Sequence, residues 1–107
     1  VIIGSNVKTI HDWMFNCVRM QRVEIPASVT SIGKEAFAYC YILDEVKLHH
    51  TTPPTLGDDV FYKCGVDTEN DKLDAIKVPS GSVEAFKSAP NWETYKDIIS
   101  GWTPQQN

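Results

Sequence analysis

The sequence predicts an α/β repeat fold: a right-handed solenoid with a short parallel sheet of about four strands and a C-terminal helical cap. Three regularities carry that expectation. A strand-like apolar ladder recurs in Met20-x-x-Val23-x-Ile25, Leu43-x-x-Val46-x-Leu48 and Leu73-x-x-Ile76-x-Val78. A second ladder joins Ile10 to Phe15, Ile32 to Phe37 and Leu56 to Phe61, with Cys17, Cys40 and Cys64 two or three residues farther on. Finally, a shift of 22 residues lays Val1, Ile3, Val7 and Ile10 over Val23, Ile25, Val29 and Ile32.

Steps between equivalent positions are 22, 23 or 24 residues, and 30 where residues 66–72 intervene. A period in the twenties with an L-x-x-L-x-L template is the signature of leucine-rich repeats. Its last two apolar residues are two apart, so they share one side of a strand while the residue between them faces solvent. One coil cannot bury that apolar edge alone. Stacking coils about 4.8 Å apart joins the strands into a parallel sheet and the apolar residues into one core.

The repeats divide as about 1–22, 23–45 and 46–72, followed by a last strand and cap over 73–101, all one domain, with 102–107 a polar tail. On the returning side, Lys34 to Cys40 has room for one or two helical turns. Gly33 and Gly57 share a repeat position suited to a left-handed turn or a close backbone approach, which His11 takes in the first repeat. Pro26 and Pro79 follow their strands, and His49 to Pro54 forms a stiff bend. Ser80-Gly81-Ser82 supplies N-cap candidates for a helix with Val83 and Phe86 on one edge and Glu84 in its first turn. Pro90 ends that helix. Asn91 caps a second one, with Trp92, Tyr95 and Ile99 on one face and Gly101 as its stop. Such helices would cover the end of the core. With no comparable cap at the other end and no initiator Met, further repeats are expected before Val1.

Composition narrows the function. Hydrophobic residues make up 42% and charged residues 22% of 107, an ordinary globular balance, and the formal charge is −4. That charge argues against nucleic acid and anionic lipid as partners. No apolar run approaches the roughly 18 residues of a membrane span.

Chemistry-bearing residues follow the repeat more closely than any catalytic spacing. Cys17, Cys40 and Cys64 fall at coil intervals without a C-x2–4-C hook, so stacked, buried, inert thiols are expected. A Cys40–Cys64 bridge is the alternative, disfavoured by parallel side-chain vectors. His11, His49 and His50 join no ligand pattern, and His49 and His50 point apart at a corner. Asp67, Glu69 and Asp71 alternate in the inserted loop without the glycine and terminal glutamate of a calcium loop. No phosphate loop, nucleophile elbow or H-E-x-x-H motif occurs. No catalytic residue, cofactor or metal is expected.

The candidate interaction surface is the solvent side of the strands: Arg22, Glu24, Glu45, Lys47 and Lys77. In a parallel stack Glu24 faces Lys47 and Arg22 faces Glu45. The strip therefore reads either as a recognition surface or as a charge ladder satisfying itself.

The stretch Val23-Glu-Ile-Pro-Ala-Ser-Val-Thr-Ser-Ile-Gly-Lys-Glu-Ala-Phe-Ala-Tyr-Cys40 resembles the repeat of BspA-like bacterial surface proteins. Thr52-Pro-Pro-Thr-Leu-Gly-Asp-Asp-Val-Phe-Tyr-Lys-Cys64 is similar to its "TPP" variant, and Ile76 to Lys87 with Trp92, Ile98 and Ile99 resembles the family's closing segment. His11, the early Cys17 and the acidic loop before Leu73 depart from the pattern. The resemblance implies a non-enzymatic module on the bacterial cell surface. It mediates adhesion or protein–protein interaction within a longer array, its partner a protein or glycan on host or neighbouring cells, and a monomer is expected. The alternative is a structural cap or spacer with no binding of its own.

Overall fold

In a computed structural model that describes residues 3–68 and 72–103, successive coils lie one on the next with their strands parallel. Seven strands form: β1 (Thr9–Ile10), β2 (Arg22–Ile25), β3 (Ser31–Ile32), β4 (Glu45–Leu48), β5 (Thr55–Leu56), β6 (Ala75–Pro79) and β7 (Ile99–Trp102). The single sheet expected from the sequence is two. A four-stranded sheet runs β2-β4-β6-β7 and a three-stranded one runs β1-β3-β5. The second arises because the apolar residue that opens the phenylalanine ladder (Ile10, Ile32 or Leu56) is buried at a corner behind Thr9, Ser31 or Thr55, in register with its equivalents.

In the larger sheet Val23 lies against Val46, Val46 against Ile76 and Ile76 against Ile99, and all four are buried. Ile25 lies against Leu48 in the next inward row. Ile3 packs on the core partly buried, while Val1 and Ile2 lie outside the described residues.

The last strand corrects the expected second helix. Trp92–Ile98 is a 3-10 helix, and Ile99 then extends into β7 with Pro79 opposite Trp102. Ile99 faces the core beside Ile76, a demand of period two that the helical spacing concealed. Gly101 stops no helix. It pairs with Val78, and a Cβ there would come within 3.0 Å of Ser80 Cα and 3.2 Å of Val83 Cγ2. Nor do the proposed caps act as caps. Ser80–Ser82 is itself a 3-10 turn leading into α1 (Val83–Ser88), and the Ser82 hydroxyl donates to Thr51 O at 2.9 Å. Asn91 donates its amide to Leu56 O at 2.7 Å and to Asp58 Oδ1 at 3.3 Å. Neither side-chain oxygen accepts from a first-turn N–H. Pro79 ends β6 from within, and Trp102, assigned by composition to the tail, is the last residue of β7.

The returning side contains no helix either; it is a stack of turns. Alternate backbone N–H groups reach the next coil: Trp13, Phe15 and Cys17 donate to the carbonyls of Lys34, Ala36 and Ala38 at 3.1, 2.8 and 3.0 Å. Glu35, Phe37 and Tyr39 repeat the pattern onto Asp58, Val60 and Tyr62. The intervening N–H groups close local turns, as Met14 does onto His11 O and Asn16 onto Trp13 O. A helix would direct these N–H groups along its own axis instead of across to the next coil. The bends are made at left-handed residues, Trp13, Glu35 and Asp59 at one position and Cys17, Tyr39 and Lys63 at another. Gly33 and Gly57 are needed for close approach, not for positive φ. A Cβ on Gly33 would meet Asp12 N at 2.5 Å, and one on Gly57 would meet Lys34 N at 2.6 Å.

Phe15, Phe37 and Phe61 stack at centroid distances of 5.3 and 5.7 Å and form the spine of the core. Phe86 and Trp92, both fully buried, cover its C-terminal end, with the Trp92 indole N–H donating to Pro54 O at 2.8 Å.

Candidate functional site

Strand alternation puts every second residue of the larger sheet outside: Arg22 and Glu24 on β2, Glu45 and Lys47 on β4, Ala75 and Lys77 on β6. Register sorts them into two rows, Arg22–Glu45–Ala75 and Glu24–Lys47–Lys77–Ser100. The structure therefore places the five candidate residues on one face.

The expected charge ladder is half realised. Lys47 Nζ lies 3.6 Å from Glu24 Oε1. Arg22 and Glu45 stand opposite each other in register, yet make no ion pair among the described residues. Lys77 also has no ion-pair partner among the described residues.

Two residues outside the candidate set complete the surface. His49 Nε2 sits 3.0 Å from the same Glu24 oxygen, and this hydrogen bond, helped by the nearby Lys47 ammonium, holds the Glu24 carboxyl below its ordinary range. The Trp102 ring lies 4.1 Å beneath Lys47 Nζ and meets the His49 ring edge-on at 5.0 Å, while its indole N–H donates to Leu48 O at 3.0 Å. Ser80 fastens the same segment, donating its hydroxyl to Trp102 O at 2.9 Å. The sequence signal for Trp102 was the inward demand of Ile99, three residues earlier. Reading Ile99 as helical hid it.

The cysteines divide. Cys40 and Cys64 are buried, and their thiols donate to Phe15 O at 3.2 Å and Phe37 O at 3.0 Å. All three are free, so Cys40 and Cys64 are not bridged. The neighbouring Cys40 thiol, together with burial, pushes Cys64 well above the ordinary thiol range, which leaves it without thiolate character. Cys17, expected in the buried stack, is exposed; counted from Phe15, the ladder position belongs to Val18. His50 is buried, with Nε2 2.6 Å from Val29 O and Nδ1 without a partner, and burial lowers its pKa. No group of three or more His, Cys, Asp or Glu among the described residues could hold a metal ion. Glu69 and Asp71 of the acidic loop lie outside the described residues. A cavity of about 340 Å³ between the third-coil turn and the closing segment is lined by Phe61, Cys64, Leu73, Tyr95 and Ile98 among others. No described helix is long and apolar enough to cross a membrane.

The family profile described as BspA type leucine-rich repeat region matches residues 1–91 in six copies. No curated protein matches the chain significantly.

Proposed function

This chain belongs to the BspA-type leucine-rich repeat family, and from that premise we propose that it is a non-enzymatic interaction module of a bacterial cell-surface protein, serving adhesion as part of a longer array. Membership in a leucine-rich repeat family supports a protein-interaction or structural role. The observation that carries the interaction reading is the outer sheet face. Two registered rows of charged residues lie there, one of them backed at Lys47 by an indole pinned through its N–H, on a scaffold whose other side is the apolar core. Rigid aromatic and charged groups on a flat surface are the usual anchors of protein recognition.

Size sets how the module works. Four strands span roughly 15–20 Å, whereas a standard specific interface takes about 800 Å² from each partner. The face therefore contributes one part of a footprint shared with neighbouring repeats. In this reading the coil is right-handed, the module is monomeric, it is displayed outside the cell, and its partner sits on a host or neighbouring cell. The second reading, a structural terminus of the array, draws support from Phe86 and Trp92, which seal the end of the core.

The test uses the intact surface protein displayed on bacteria, with adhesion to epithelial monolayers as readout. Joint replacement of Lys47, Lys77 and Trp102 by alanine is expected to reduce adhesion while surface display is retained. Undiminished adhesion at equal display would leave the structural reading in possession.

A further inference from the structure

The Glu24–Lys47–Lys77–Ser100 row carries its charges unevenly. Lys47 and Lys77 stand opposite each other on adjacent strands, a like-charge juxtaposition that costs stability unless countered. Lys47 is countered twice, by Glu24 at 3.6 Å and by the Trp102 ring at 4.1 Å. The same Glu24 oxygen also takes His49. Lys77 is half-buried, has no ion-pair partner among the described residues, and is flanked in register by Ser100 and preceded on its face by Ala75. The result is a cation with no countercharge among the described residues, set between Lys47 and the small side chains of Ser100 and Ala75.

We propose, building on the interaction reading above, that Lys77 receives a carboxylate from an extended acidic segment of the partner protein, seated beside Lys47 and Trp102. An arriving carboxylate supplies the missing countercharge and relieves the Lys47–Lys77 repulsion, so charge complementarity identifies the partner's chemistry. A saccharide is a poorer fit. It would stack on the indole face, and Lys47 already lies over that ring with His49 packed against it.

The experiment titrates the chain at low ionic strength with a hexaglutamate peptide. Hexaserine and an oligogalacturonate serve as the other arms, with amide and indole N–H shifts in NMR and fluorescence anisotropy as readouts. Hexaglutamate is expected to move Lys77, Ser100 and the Trp102 indole N–H. Lys77→Gln should weaken binding by about five-fold, the size of an exposed ion pair, and Lys34→Gln on the returning side should leave it unchanged. Equal losses for Lys34→Gln and Lys77→Gln would reduce the binding to general charge attraction and overturn the proposal. Tighter binding of the oligogalacturonate would overturn it too, in favour of an acidic glycan. If hexaglutamate leaves the face untouched while adhesion by the intact protein still depends on Lys47, Lys77 and Trp102, the acidic-segment proposal falls and the interaction reading stands. If adhesion is indifferent to those residues, it is the interaction reading that falls.

Discussion

Phe15, Phe37 and Phe61 occupy one position of successive coils and stack ring upon ring at 5.3 and 5.7 Å, whereas the equally regular outer row runs Glu24, Lys47, Lys77 and Ser100. Inside, each residue's neighbour is its own equivalent one coil away, and only side chains content to touch copies of themselves survive there. Outside, water screens the mismatch between neighbours and the residue can change at every coil. One period thus builds a spine that repeats and a face that does not. Variation costs little on the second, which is why the proposed recognition is placed there.

This contrast can be broken in measurable steps. Phe37→Ala removes the middle ring of the spine and is expected to cost about 3–5 kcal/mol in urea unfolding, enough to unfold much of a marginal domain. A loss below about 1 kcal/mol would show that the column is not a shared core. Gly57→Ala drives a methyl onto the Lys34 backbone and should cost about 1–3 kcal/mol by the same measurement. Cys40→Ser keeps a donor for Phe15 O but buries a more polar group, with an expected cost of about 1–2 kcal/mol. Glu24→Ala, acting on an exposed pair, should cost less than about 1 kcal/mol. Should Glu24→Ala prove more damaging than Cys40→Ser, the assignment of inside and outside fails.

Acid sharpens the same comparison. Burial depresses the folded-state pKa of His50, so the unfolded chain takes up its proton first as pH falls. The stability that His50 contributes is therefore complete above its unfolded value near 6.5 and is lost on acidification through the depressed folded value. Glu24, also depressed, adds a further loss at lower pH, starting near its unfolded value of 4.5. Thermal melts between pH 7.5 and 5 should show a falling Tm in the parent chain and a flatter profile in His50→Gln. An unchanged slope in the variant would place the acid sensitivity elsewhere.

Much of the fold was legible in the residues. The Met20, Leu43 and Leu73 ladders located β2, β4 and β6, and the Glu24–Lys47 contact followed from their register. The returning side was less so. Lys34 to Cys40 has unremarkable helix propensity, and nothing local announces that its alternate N–H groups are claimed by Asp58, Val60 and Tyr62 some twenty residues later. Nothing local links His49 to Trp102 either, since they are 53 positions distant and joined only through the order of strands.

Periodicity alone determined that this polypeptide repeats, which residues of β2, β4 and β6 turn inward, and which five charged side chains share a face, because those properties depend on neighbours two to four residues away or on one constant step. The tertiary structure decided the rest: turns in place of helices, a second sheet at the corner, and Ile99–Trp102 as the closing strand that brings an indole under Lys47. In each of these cases the backbone's hydrogen-bond partners lie in another coil or in the closing segment, and a chain cannot reveal in one dimension which distant carbonyl will satisfy its N–H groups.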